Sequence, residues 1–107
     1  MKNNIINAEI EEIVLKYVQV IRSKYKINAI ILFGSYAKGT EHKDSDIDIA
    51  IVIDKFKENI IDEEVELMML RDGIDYRIEP HIIRVSEYEN DETPFVVEVK
   101  NTGIKVA

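Results

Sequence analysis

The sequence predicts one α/β domain in which helices are layered against a small β-sheet. Three observations carry that prediction. Two short apolar runs, 29–33 and 49–53, have the length and β-branched content of buried strands. Before and after them, apolar residues recur at helical spacing. The chain has 107 residues, 46% of them apolar and 33% charged, which suits a single domain over 1–107 and not a disordered tail.

The first helix is expected over 8–25. Asn7 is a good N-cap, and Ile10, Ile13, Val14, Tyr17, Val18 and Ile21 form one apolar stripe. Glu12 and Lys16 pair at i,i+4 on the wet face. Residues 1–6 read as a frayed lead-in. Residues 28–33 read as a buried strand ending at Gly34. Residues 34–45 are turn-rich, with room for one helical turn over 35–38. In 46–53 (DIDIAIVI) the residues alternate: Ile47, Ile49, Ile51 and Ile53 on one face, Asp46, Asp48, Ala50 and Val52 on the other.

Acids early and Arg71 late suit a helix over 60–71, with Gly73 as its C-cap and the Met68–Met69 pair as core filling. Residues 74–85 are β-rich, and Pro80 marks an edge, a bulge or a strand end there. By parity, Asp75, Arg77 and Glu79 share a face of that strand. The run PFVVEV has strand propensity, yet Thr93, Pro94 and Gly103 are N-cap, first-turn and C-cap signals. The caps favour a helix over 94–101, followed by a short strand at 104–106.

Composition excludes several functions. The absence of cysteine removes disulfides, thiol nucleophiles and Cys-ligated metals. A net charge of −7 argues against non-specific nucleic-acid binding, which needs a basic footprint. No run is long enough to span a membrane and no secretory leader is visible, so a cytoplasmic protein is expected. A nucleotide ligand stays open, because divalent cations bridge carboxylates to phosphates.

The chemistry concentrates in Gly34-Ser35-Tyr36-Ala37-Lys38-Gly39 and Ser45-Asp46-Ile47-Asp48-Ile49. Gly34 ends a strand where the backbone must turn and admit a ligand closely. Ser35 offers a hydroxyl and an N–H at a helix start, a phosphate-binding geometry. Asp46 and Asp48 project from one strand face, and two parallel carboxylates favour a cation between them. Taken singly, a Gly-Ser pair is a turn and an Asp-x-Asp strand is a solvated face. Together they place a phosphate cradle directly before paired carboxylates. Ala50 and Val52 continue the Asp face as apolar, so the aspartates stand at the rim of a buried surface. Lys38 and Lys43 read as solvated loop residues, and His42 and His81 as surface residues.

These segments resemble the G-S…D-x-D signature of the minimal nucleotidyltransferases, within the superfamily that has the DNA polymerase β-like fold. The resemblance runs from the first helix to Gly103-Ile104. It implies a mixed sheet and a transfer of a nucleoside monophosphate, AMP from ATP, with two Mg²⁺ ions between carboxylates and triphosphate. Carried onto this chain, it makes Asp46 and Asp48 metal ligands and gives Gly34 and Ser35 the β- and γ-phosphates. The family has a third carboxylate on a neighbouring strand, usually Asp. Glu79, in Arg77-Ile78-Glu79-Pro80-His81, fits that position one methylene longer, and Asp75 is the second candidate. The resemblance also implies a helical HEPN-type protein partner, with this chain as the antitoxin and the acceptor a hydroxyl on the partner. A binding module that neutralises its partner by contact alone is the alternative.

Overall fold

A computed structural model describes residues 7–54 and 59–107. The expected lead-in at 1–6 lies outside the described residues. Helix α1 spans Ala8–Arg22, strand β1 Ile27–Phe33, helix α2 Ser35–Lys38 and strand β2 Ile47–Ile53. Helix α3 (Ile60–Met69), strand β3 (Ile78–Arg84), helices α4 (Val85–Glu89) and α5 (Pro94–Thr102) and strand β4 (Ile104–Lys105) complete the order. The strands form one mixed sheet in the order β3-β2-β1-β4. β1 runs antiparallel to both β2 and β4, and β2 is parallel to β3. This is a mixed sheet, as the resemblance implies.

The alternation read in 46–53 sorts the core into two layers. Ile47, Ile49, Ile51 and Ile53 join Ile30, Leu32 and Ile78 beneath α1 and α3. Ala50 and Val52 join Ala29, Ile31 and Ile83 beneath α5, through Val96 and Val99. Strands buried on both faces explain the nearly continuous apolar runs.

Local signals fix the ends. The Asn7 side chain accepts from the Glu9 and Ile10 amides, and α1 stops at Arg22, with a turn carrying the chain to Tyr25. Thr93 Oγ1 accepts from the Val96 amide at 3.1 Å, with Pro94 in the first turn, so caps and the burial of Val96 and Val99 override the β propensity of PFVVEV. The Tyr17 hydroxyl, buried at the α1–α3 contact, donates to the Leu67 carbonyl at 2.6 Å. Tyr17→Phe strands that carbonyl in the last turn of α3 and is expected to cost about 1–3 kcal/mol in urea unfolding; an unchanged midpoint would contradict the role.

The expectations for 74–85, for Met69 and for Gly73 need correction. Residues 74–77 are turn, and β3 begins only at Ile78, so strand parity does not join Asp75 and Arg77 to Glu79. The strand also ends sooner, because the Glu87 carboxylate accepts from the Arg84 amide at 2.9 Å and starts α4 there. Pro80 sits inside β3 and marks an edge, one of the expected alternatives, since β3 pairs only with β2. Finally, α3 buries Glu63 and Leu67 and turns Met69 outward, so Met69 does not fill the core. Gly73 lies in the turn beyond the Leu70 C-cap, with φ +81°.

Candidate functional site

The site forms where β1, β2 and β3 share one edge of the sheet. Phe33, the last residue of β1, is register-paired with Asp48, and Asp48 is register-paired with Glu79 on β3. Antiparallel and parallel registry together therefore lay Phe33, Asp48 and Glu79 in a row on one face. Asp46 lies just before β2 and is exposed; Asp48 is half-buried.

Gly34 turns the chain out of β1 at φ 76° and ψ −154°, a region open essentially to glycine alone. A Cβ built there would lie 2.4 Å from Asp48 Oδ2. The backbone of the Gly-Ser turn thus abuts the carboxylate of the Asp-x-Asp strand. Ser35 opens α2, which closes through Ala37 and Lys38 amides onto the Gly34 carbonyl, each at 3.1 Å. Gly34→Ala is expected to cost about 1–3 kcal/mol in stability through backbone strain. It should also weaken any nucleotide held at this turn by about tenfold or more; normal melting with normal nucleotide binding would refute the close approach.

The connecting loop is held from within. Ser45, which the sequence reading left unassigned, is buried; its Oγ accepts from the His42 amide and its own amide donates to the His42 carbonyl, both at 2.9 Å. Arg77 ties this loop to the approach of β3. Its guanidinium bonds both oxygens of Asp75, at 3.0 and 2.9 Å, and reaches the Tyr36 hydroxyl at 3.3 Å. That guanidinium, bonded to the Asp75 carboxylate, holds the carboxylate's pKa below its ordinary value. Asp75 is therefore engaged in a structural ion pair and stands outside the strand that carries Glu79.

His81, expected as a surface residue, instead lies against Asp48 in the candidate site. It follows Glu79 on the same strand face, and its Nε2 stands 3.3 Å from Asp48 Oδ1. Phe33 and Phe95 flank the ring at centroid distances of 5.1 and 5.8 Å. The signal was present in the parity of Glu79 and His81, but the neighbour of β3 was needed to use it. Burial pushes the Asp48 pKa up, the His81 contact opposes the rise, and the nearby Asp46 charge adds to it.

Among the described residues, no group of three or more His, Asp or Glu side chains could hold a metal ion on its own. A paired-carboxylate site does not require such a cage. Mg²⁺ binds through one or two carboxylates together with substrate phosphates and waters. The hard oxygen donors of exposed Asp46 and of Asp48, which abuts the Gly34 turn, fit that mode.

The family described as "Polymerase beta, Nucleotidyltransferase" matches residues 6–107. The chain belongs to this nucleotidyltransferase family. Within it, the chain falls among the minimal nucleotidyltransferases, whose curated members carry protein adenylyltransferase names. A candidate protein adenylyltransferase of Methanocaldococcus jannaschii, MJ1379, is 41% identical over 61 residues, 57% of this chain and 61% of that one. The protein adenylyltransferase MntA of Shewanella oneidensis is 36% identical over 69 residues, 52% of this chain and 50% of MntA. The chain thus spans about half to three-fifths of the length of these relatives. Among solved structures, a candidate nucleotidyltransferase of Sulfolobus solfataricus shares the fold with TM-score 0.65, at 20% identity over 90% of this chain and 78% of the other. A toxin–antitoxin structure with AMP-PNP superposes with TM-score 0.59, at 28% identity over 89% of this chain and 70% of that one. No helix among the described residues is long and apolar enough to cross a membrane.

Proposed function

We propose that this nucleotidyltransferase moves AMP from ATP to a hydroxyl on a partner protein, as the antitoxin of a toxin–antitoxin pair with a helical HEPN-type toxin. The observation that carries the reading is the close approach of the Gly34 turn to the Asp48 carboxylate, which sets the Gly-Ser backbone directly against the Asp-x-Asp strand. The protein adenylyltransferase name of MntA and the toxin–antitoxin neighbour with AMP-PNP support the choice of AMP and of a protein acceptor.

In this reading Gly34 and Ser35 hold the β- and γ-phosphates through backbone N–H groups and the Ser35 hydroxyl. Asp46 and Asp48 would hold Mg²⁺, two ions in the form the resemblance implies, together with the phosphates, and Glu79 would stand as the third carboxylate, base or metal ligand, at the attacking hydroxyl. Bound there, the metal supplies charge neutralisation of the triphosphate and eases ionisation of the acceptor hydroxyl. His81 is a positioning residue: its ring, held between Phe33 and Phe95, fixes one oxygen of Asp48 while the other faces Gly34. The acceptor oxygen bonds to the α-phosphorus, the bond from the α-phosphorus to the α–β bridging oxygen breaks, and pyrophosphate leaves. The hydroxyl proton passes to the Glu79 carboxylate.

Incubation with α-labelled ATP, Mg²⁺ and lysate of the source organism tests the reading. A labelled protein is expected. Glu79→Gln should lower labelling by about 100-fold or more while sparing nucleotide binding. Asp75→Asn should cost stability but leave labelling per folded molecule unchanged. Loss of labelling in Asp75→Asn with retention in Glu79→Gln would reverse the assignment. Tight partner binding with no label transferred would favour neutralisation by contact alone.

A further inference from the structure

We infer that the outward face of α3 is a docking surface for a cationic amphipathic helix of a partner protein. Ile61, Val65 and Met69 recur every fourth residue and are 61%, 52% and 65% exposed, whereas Glu63 and Leu67 on the opposite side of the same helix are fully buried. A surface helix ordinarily does the reverse and turns its polar residues to water. Here the outward face is a straight apolar ridge about 12 Å long at the helical rise. On the order of 300 Å² of it is exposed, the size at which apolar patches begin to mark interfaces.

The shape and the charge of the ridge select its occupant. A ridge with four-residue spacing fits the groove between ridges of another helix. Exposed acids border it on both sides, Asp62 on one and Glu64 on the other. A groove of about 460 Å³ runs along the Asp62 side, lined by Lys24, Asp62, Val65, Glu66, Met69 and Leu70. The Tyr25 hydroxyl donates to the Glu66 carboxylate in that wall. Lys24 is the one cation among these lining residues, so the rim is acidic. On a chain of net charge −7, two such rims repel each other, which argues against a second copy. A helix with an apolar stripe and Lys or Arg flanks satisfies both the ridge and the rim. The inference goes beyond the transfer reading, and its test uses no nucleotide, so either can fail without the other.

The test is fluorescence anisotropy of the full chain with a labelled synthetic helical peptide of about 20 residues, Leu on one stripe and Lys on its flanks. Binding is expected, and a peptide with Glu in place of Lys should bind at least about tenfold more weakly. Val65→Glu with Met69→Glu should lower affinity about tenfold or more, although it makes the chain more acidic and would strengthen attraction that was merely electrostatic. Val65→Ser with Met69→Ser carries the same expectation without new charge, should the first variant fold poorly. Asp62→Asn with Glu64→Gln should weaken binding several-fold and flatten its salt dependence. Unchanged or tighter binding by the stripe variants, or no binding by the wild type, would overturn the inference. So would a dimer in sedimentation that the stripe variants dissolve, since the occupant would then be a second copy.

Discussion

Replacing both Asp46 and Asp48 by Asn is expected to abolish Mg²⁺-dependent ATP binding while leaving the fold intact and more stable. The loss follows from removing the paired oxygen donors beside the Gly34 turn. The gain follows from burial, the largest cause of the raised Asp48 pKa, to which the neighbouring Asp46 charge adds. A carboxyl whose pKa is raised by folding stabilises the folded chain fully below its unfolded value of 3.8, and that contribution is lost as pH rises through the higher folded value. The single variant Asp48→Asn has no such dependence. Its stability advantage over the wild type should therefore be present at pH 7 and vanish in acid. Calorimetric titration with Mg²⁺-ATP and thermal melts at pH 7 and in acid check both halves. Unchanged titration in the double variant would remove the aspartates from the site.

The largest loss of stability is expected at Arg84. Glu63 is a fully buried acid on α3, and its carboxylate receives the Arg84 guanidinium at 2.5 and 3.3 Å from the end of β3. The pair bridges the β2–α3–β3 crossover, one helix face to one strand end. Arg84→Met leaves the Glu63 charge in the core without this guanidinium and should cost about 3–5 kcal/mol. Glu63→Gln with Arg84→Met removes the charge as well and should recover part of that loss. Denaturant midpoints compare the two variants; equal losses would show that the buried charge is not the cause.

Much of this arrangement was legible because local rules and tertiary structure agree. The alternation of 46–53 foretold two core layers and put both aspartates on the thinner one. Asn7, Thr93 and Pro94 foretold helix starts that propensity alone would have missed. What stayed hidden depends on neighbours in space. The parity of Glu79 and His81 says that they share a face, but only the parallel register of β3 on β2 brings that face to Asp48. The Asp75–Arg77 pair reads as alternating strand in sequence, and becomes a turn because the guanidinium folds back onto its own near neighbour. The Met68–Met69 pair reads as core filling because methionine commonly fills gaps in apolar cores. In α3 the buried face is held by Leu67 and a paired Glu63, which leaves the apolar stripe outside.

Transfer of the adenylyl group of ATP at the Asp46–Asp48 site is tested most directly by parallel reactions with α-labelled and γ-labelled ATP. With Mg²⁺ and lysate of the source organism, the expected result is protein label from the α position, none from the γ position, release of pyrophosphate, and loss of all label in the Asp46→Asn, Asp48→Asn variant. Label from the γ position, or α label that survives in that variant, would contradict it.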